Sequence, residues 1–203
     1  MKITAIKQQE RLKGRYSVYV DEKYSFSLSA DALLETGIHS GLELSDADIA
    51  AYKKLSADDK AYGLSVAYVA RRMRSRYELT DYFRRKDYSP ELAEHIMGRL
   101  ERLGLVDDTK FAEAWVRNRR LLKSVSKRRL VQELRQKRIA DGIIEQVLRD
   151  DETDERDVLR ELVARKRRQS RYQDNLKLMR YLVGQGFAYD EVKSVLQQDQ
   201  ELD

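Results

Sequence analysis

Apolar and polar residues alternate strictly over two short stretches near the start of the chain. In "RYSVYV", Tyr16, Val18 and Val20 alternate with Arg15, Ser17 and Tyr19; in "YSFSLS", Tyr24, Phe26 and Leu28 alternate with serines. A period of two places each apolar set on one face of a strand. Asp21, Glu22 and Lys23 predict a turn between them, without the Asn-Gly or Asp-Gly pair that marks the commonest tight hairpin. "KITAIKQQ" (residues 2–9) predicts a third strand. Three strands on a helix hold where two are marginal.

From Ser29 the period changes. "SADALLETGI" predicts a short helix closed by Gly37, and Ser45-x-x-Asp48 predicts a capped helix start for "SDADIAAYKKL" at 45–55. Residues 1–55 read as a small α+β module. Beyond Ser56 the pattern is helical throughout. One helix is predicted over 57–74. Ser75-Arg76-Tyr77-Glu78 is a capping box that starts the next, with Leu79, Tyr82 and Phe83 on one face. Ser89-Pro90-Glu91 starts a third, with Leu92, Ile96, Leu100 and Leu103 aligned and Gly104 as its stop.

The helical phrase then recurs. A shift of 51 carries Ser75 to Ser126, Leu79 to Leu130, Phe83 to Leu134, Lys86 to Lys137, Tyr88 to Ile139, Leu92 to Ile143, Ile96 to Val147 and Met97 to Leu148. A further shift of 48 carries Leu130 to Leu178, Leu134 to Leu182, Ile139 to Phe187, Val147 to Val195 and Leu148 to Leu196. Cap, apolar and inter-helix positions stay in phase together, which chance amphipathicity does not require. A period near fifty marks a repeat architecture whose units bury little alone and extend a core by stacking. The first helix of each copy is predicted at 57–74, 109–123 and 155–172. The expected fold is mainly α: three tandem three-helix repeats in an elongated, curved stack, after an N-terminal α+β module with a β-hairpin or three-stranded meander. The expected divisions are 1–55, 56–106, 107–150 and 151–203.

Composition agrees: 37% of residues are charged, one is proline and none is cysteine. Disulfides and thiolate metal sites are excluded, and the lack of cysteine suits a reducing cytoplasm. No apolar run approaches the ~20 residues that span a bilayer. The first fifteen residues hold no hydrophobic signal core, so a cytoplasmic protein with no membrane partner is expected. Net charge is +5, but residues 109–150 alone carry +7, while 1–60, 61–108 and 151–203 carry −1, +1 and −2. A local basic field on a balanced chain points to a polyanion or an acidic partner surface.

Residues 115–138, "WVRNRRLLKSVSKRRLVQELRQKR", hold ten Lys and Arg and one acid, Glu133. Arg117, Arg119, Arg120 and Lys123 end a predicted first helix; Lys127, Arg128 and Arg129 open the next. Free N–H groups at a helix start attract phosphate, and cations there reinforce this while opposing the dipole of their own helix. The first copy has Glu78 where the second has Arg129, a broken local rule that marks a candidate site. The plainer account is a solvated charged face. Comparable clusters end the first helices of copies one (Arg71, Arg72, Arg74, Arg76) and three (Arg165, Lys166, Arg167, Arg168, Arg171). Stacking would align them as a stripe able to follow a nucleic-acid backbone or a protein filament. The acidic run at 150–157 reads as a linker and helix start.

Other candidates read as structural. Tyr62, Tyr68, Tyr77, Tyr82 and Tyr88 fit core positions better than base-stacking platforms. Asp107 and Asp108 fit a helix cap better than a metal site, and His39 and His95 stand alone. No phosphate loop, nucleophile elbow or zinc spacing occurs, so no cofactor is expected and nothing argues for an enzyme.

Several of these phrases resemble the RecX family of bacterial recombination regulators. They are Arg74-Ser75-Arg76-Tyr77-Glu78-Leu79, then Val106-Asp107-Asp108-Thr109-Lys110-Phe111-Ala112, then the Arg-rich helix through Trp115, Arg117, Arg119 and Arg120. "RRLVQELRQKRI" at 128–139 resembles the family's second-copy helix. Residues 15–44 resemble the strand-rich extension of a subset of the family. The family's glycine before the residue that ends the second helix is kept only in Gln185-Gly186-Phe187. Lys86-Asp87-Tyr88 and Lys137-Arg138-Ile139 lack it, and Lys123-Ser124-Val125-Ser126 lacks a further family glycine. The resemblance implies tandem three-helix repeats that bind in the helical groove of RecA–DNA filaments. It implies that they modulate, mostly by inhibition, strand exchange, ATPase and co-protease activity in recombination, DNA repair and the SOS response. On that reading Arg71, Arg72, Arg74, Arg117, Arg119, Arg120, Lys123, Lys127, Arg128, Arg129, Arg165, Lys166 and Arg168 meet the filament or its DNA.

The alternative is a direct DNA-binding protein of helix-turn-helix-like units. The third helices, "PELAEHIMGRLERL" and "GIIEQVLRDD", carry acids and few of the Arg, Asn or Gln side chains that read base edges. Non-specific binding to single- and double-stranded DNA is compatible with both readings. A monomer is expected, since no heptad seam appears.

Overall fold

The computed structural model describes residues 1–201, with side chains described through residue 199. The chain forms two compact units, Met1–Arg72 with Asp87–Arg102, and Met73–Lys86 with Leu103–Asp203.

The first unit starts with three antiparallel strands, β1 (Ile3–Gln8), β2 (Arg15–Val20) and β3 (Lys23–Ser29), in the order β1-β2-β3. Val18 pairs with Ile6 on one side and Phe26 on the other. The alternating set Val18, Val20, Phe26 and Leu28 is buried as its period requires, with Ile3, Ile38, Leu44 and Ile49. The turn joining β2 to β3 is now defined: Asp21 and Glu22 both have positive φ, 47° and 66°. This is the backbone of a tight primed hairpin turn, built without glycine. Contacts from Lys2 and from β1 hold it there. Lys2 N–H donates to the Asp21 carboxylate at 2.9 Å and Glu22 N–H to the Thr4 hydroxyl at 3.0 Å. Glu22 makes no compensating side-chain contact in this turn, so Glu22→Gly is expected to raise stability by about 0.5–1 kcal/mol. A higher urea midpoint at unchanged slope would show it.

Helix α1 (Ala30–Thr36) is capped by the Ser29 hydroxyl and stopped by Gly37, at φ 64°. Helix α2 (Asp46–Ala70) opens with the Ser45–Asp48 capping box. It runs unbroken where the sequence suggested two helices meeting at Ser56, so the expected division at residue 55 falls inside it. Ser56 does not break the helix because its hydroxyl reaches sideways, donating to Ser27 O at 2.6 Å and accepting from Ser27 N–H at 3.3 Å. One turn on, Asp59 accepts from Arg15 (2.8 Å), Ser29 N–H (2.8 Å) and the Ser29 hydroxyl (2.6 Å). These bonds lock α2 to β3. Two helical elements flank the chain's return between units: α3 (Arg76–Arg85) belongs to the second unit and α4 (Pro90–Arg102) to the first. Helix α4 packs on α2, where the Arg99 guanidinium lies 3.9 Å from the Tyr62 ring centre.

The second unit continues with α5 (Asp108–Leu122), α6 (Lys127–Gln136) and α7 (Asp141–Arg149), then α8 (Glu155–Arg167), α9 (Asn175–Gly184) and α10 (Tyr189–Glu201). A 3-10 turn, Ser170–Tyr172, ends the expected long first helix of the third copy early. The phased apolar positions are the cores of the two triplets. Leu130, Leu134, Ile139 and Val147 are buried with Phe111 and Val116, and Leu178, Leu182, Phe187 and Val195 with Leu159 and Leu162.

The copies are joined by one hydrogen-bond pattern used twice. The Ser75 hydroxyl caps α3 by accepting from Glu78 N–H (3.2 Å) and donates onward to Lys137 O (3.1 Å). The Ser126 hydroxyl accepts from Arg129 N–H (3.1 Å) and donates to Gln185 O (2.8 Å). Beside each serine, the first helical N–H is held by a carboxylate of the next copy: Arg76 N–H by Asp108 and Lys127 N–H by Glu155, both at 2.8 Å. Each cap serine thus satisfies its own helix start and the next copy's helix end, which explains why both are fully buried. The turns lacking the expected glycine are retained too. Asp87 and Arg138 take left-handed φ of 55° and 57°, at positions matching Gly186 with φ 95°.

Candidate functional site

Helix α5 and the start of α6 position the most basic segment. Asp107 caps α5, accepting from Thr109 and Lys110 N–H at 2.9 and 3.0 Å. The Lys110 N–H bond chiefly holds its carboxyl below the usual range, against the opposing effect of desolvation. Asp107 is therefore a cap and Asp108 a joint to α3. Among the described residues no group of three or more His, Cys, Asp or Glu is placed to hold a metal, and no helix is long and apolar enough to cross a membrane.

The arginines at the end of α5 divide by partner. Arg119 pairs with Glu133 at 2.6 Å, and its guanidinium lies 4.7 Å from the Trp115 ring centre. Glu133 also accepts from Trp115 Nε1 at 2.9 Å and pairs with Arg129 at 3.5 Å, so the one acid of this segment ties α5 to α6. Arg120 is more deeply committed. Its Nε and one terminal nitrogen reach Asp151 at 3.0 and 2.8 Å, and the other donates to Val125 O at 2.6 Å. The side chains of Arg120 and Asp151 are each only 9% exposed. The sequence reading grouped Arg119 and Arg120 with surface cations; the structure gives both internal partners. The start of α6 is also engaged: Ser126 and Glu155 take the N–H groups of Arg129 and Lys127, so the expected phosphate-like site there is already filled by the joint.

Arg117, Lys123 and Arg128 remain exposed and without an ion partner among the described residues. In the third copy Arg165 and Arg168 are exposed, whereas Lys166 lies 4.6 Å from the Tyr181 ring centre. Arg167 is bound to Asp199, Asn175 and two backbone carbonyls. Because Arg120 holds Asp151, the end of α5 lies against the linker into α8, and Arg165 and Arg168 stand most of a helix length away. At 1.5 Å per residue that is roughly 20 Å. The exposed acids Asp150, Glu152, Asp154 and Asp157 occupy the linker and first turn between. Along the chain, acids thus stand between the two groups of cations, with Arg160 paired to Asp157 among them. Arg71 and Arg72 are exposed at the end of α2 in the first unit, and Arg74 is half-buried in the second. Of the five tyrosines expected in the core, Tyr82 is buried, whereas Tyr62, Tyr68 and Tyr88 are half-buried, Tyr62 with the Arg99 guanidinium over its ring. Tyr77 is 41% exposed, with Arg138 5.8 Å from its ring centre.

The sequence reading missed two features. Glu133, alone among ten cations, was a signal that some of them are neutralised internally. Leu121 and Leu122, bare at the end of α5, fall outside the buried spacing Phe111, Ala112, Val116.

The sheet module, the repeated joint and a surface of uncommitted cations together define a helical-repeat protein whose exposed chemistry is suited to binding. Three family descriptions match its parts: "Regulatory protein RecX N-terminal domain" over 1–45, "RecX, first three-helix domain" over 61–100 and "RecX, second three-helix domain" over 107–148. The regulatory protein RecX of Bacillus pumilus is 32% identical over 201 residues, covering 97% of this chain and 76% of that protein. That of Lactobacillus johnsonii is 36% identical over 146 residues, covering 72% of this chain and 54% of the relative, so the match spans little more than half that relative's length. A crystal structure of regulatory protein RecX superposes with a TM-score of 0.75 at 27% identity, covering 97% of this chain and 98% of that one. The chain belongs to the RecX family, and a regulatory role follows from that membership.

Proposed function

We propose that the protein binds RecA–DNA filaments and modulates, mostly by inhibition, RecA's strand exchange, ATPase and co-protease activities in recombination, repair and the SOS response. The observation that carries this reading is the set Arg117, Lys123 and Arg128, exposed on a repeat whose neighbouring Arg119, Arg120 and Arg129 are held in ion pairs. Exposed cations around a rigid scaffold speed encounter with an anionic surface and make binding sensitive to salt. Arg165, Arg168, Arg71 and Arg72 would add contacts to further filament subunits, raising avidity without strong individual bonds. Arg119 and Arg120 act in this scheme as positioning residues, and Lys127, Arg129, Lys166 and Arg74 as partly engaged ones.

The test is RecA's DNA-dependent ATPase, measured with this protein well below RecA's concentration and at salt high enough to suppress loose DNA binding. Inhibition is expected, because bridging subunits lets few molecules act on many. Unchanged ATPase together with tight duplex binding under the same conditions would favour the direct DNA-binding alternative.

A further inference from the structure

Charge does not account for everything at the end of α5. Its last two residues, Leu121 and Leu122, are each 76% exposed. Single exposed leucines are ordinary on protein surfaces. An adjacent, nearly bare pair next to exposed cations is less so. The helix does not need them for packing, since its buried face is Phe111, Ala112 and Val116. Nor does the repeat require them: the matching positions are Ala70-Arg71 in the first copy and Gln169-Ser170 in the third. Arg117 stands one turn before Leu121 on the same helix face, and Lys123 follows Leu122 directly. No acidic residue occurs between Glu113 and Glu133.

We propose that Leu121 and Leu122 are the apolar anchor of a protein–protein contact, whose partner presents an apolar pocket rimmed by carboxylates. An apolar centre inside a charged rim is the usual anatomy of a specific protein interface, with a few central side chains carrying most of the affinity. The cations Arg117 and Lys123 set the sign of that rim. A phosphate backbone offers leucine no partner. The inference rests on the filament reading above and assigns this contact to the filament's protein coat, not to its DNA.

The experiment compares wild type with L121S/L122S and L121M/L122M. Probes are fluorescently labelled RecA–single-stranded DNA filaments and the same DNA bare. The serine variant should lose filament affinity by about tenfold or more while its affinity for bare DNA stays within about twofold. The methionine variant should bind filaments like wild type, and all should melt alike because the leucines bury little. The single variants L121S and L122S keep the test open should the double variant melt early. Unchanged filament binding by the serine variants would overturn the anchor. Equal losses on filament and bare DNA would overturn it too, making the leucines a wedge between bases. If wild type itself fails to bind filaments, the filament reading falls; if wild type binds and serine changes nothing, only the anchor does.

Discussion

Arg120→Ala is expected to destabilise the second helical triplet by about 3–5 kcal/mol, the scale for breaking a buried ion pair. Its guanidinium holds Asp151 through two nitrogens and Val125 O through a third. Truncation strands a carboxylate that is 9% exposed and the carbonyl of a buried core residue. The acid dependence of stability follows from the same pair. Burial pushes the Asp151 carboxyl up, but bonds from Thr153 and Arg120 and the charge of Arg120 outweigh it, and the pKa falls below its ordinary 3.8. A depressed folded-state pKa adds stability that is present above the unfolded value and lost as pH falls through the folded one. Wild-type stability should therefore decline below about pH 4 with a component absent from Arg120→Ala. Urea unfolding followed by Trp115, the chain's single tryptophan, checks both, since it lies in the same triplet. An Arg120→Ala protein as stable as wild type, but weaker towards filaments, would return this arginine to the surface set.

Gly186→Ala is expected to cost about 3 kcal/mol, for two reasons that act together. At φ 95° the backbone lies beyond the region that L-residues enter readily, and a Cβ there would stand 2.5 Å from the Ser126 hydroxyl oxygen. That hydroxyl cannot step aside, because it caps α6 and holds Gln185 O in a fully buried joint. The two sites should couple: in a Ser126→Ala background the Gly186→Ala penalty should shrink by about 1 kcal/mol or more. Additive penalties in that double-mutant cycle would mean the clash is not what makes glycine necessary. The equivalent Asp87 and Arg138 sit near 55°, inside the left-handed well, which is why the same turn survives there without glycine.

The fold was legible where local pattern decides it. Strand alternation around Val18 and Phe26, the cap boxes at Ser45 and Ser75, and the phase linking Leu79, Leu130 and Leu178 all follow from periodicity and helix-end chemistry, which neighbouring residues report. The continuity of α2 was not legible, because it depends on Ser56 meeting Ser27 across the sheet edge. The candidate site was legible as a charge excess in one segment, but not residue by residue. Arg120 and Arg128 look alike in sequence; one is separated from the other by Asp151, a residue thirty-one positions from Arg120 in a stretch that read as linker. Likewise Ser75 and Ser126 announced their caps but not their second bond, since its acceptor belongs to the following copy.

The central claim is that a few uncommitted cations of the second repeat, held up by engaged ones, meet an anionic filament. The most direct measurement is the concentration of R117A/K123A/R128A that half-inhibits RecA's ATPase, set beside its melting temperature. The account predicts a rise of at least about tenfold over wild type, weakening with added salt, at an unchanged melting temperature. Half-inhibition at the wild-type concentration by a fully folded triple variant would contradict it.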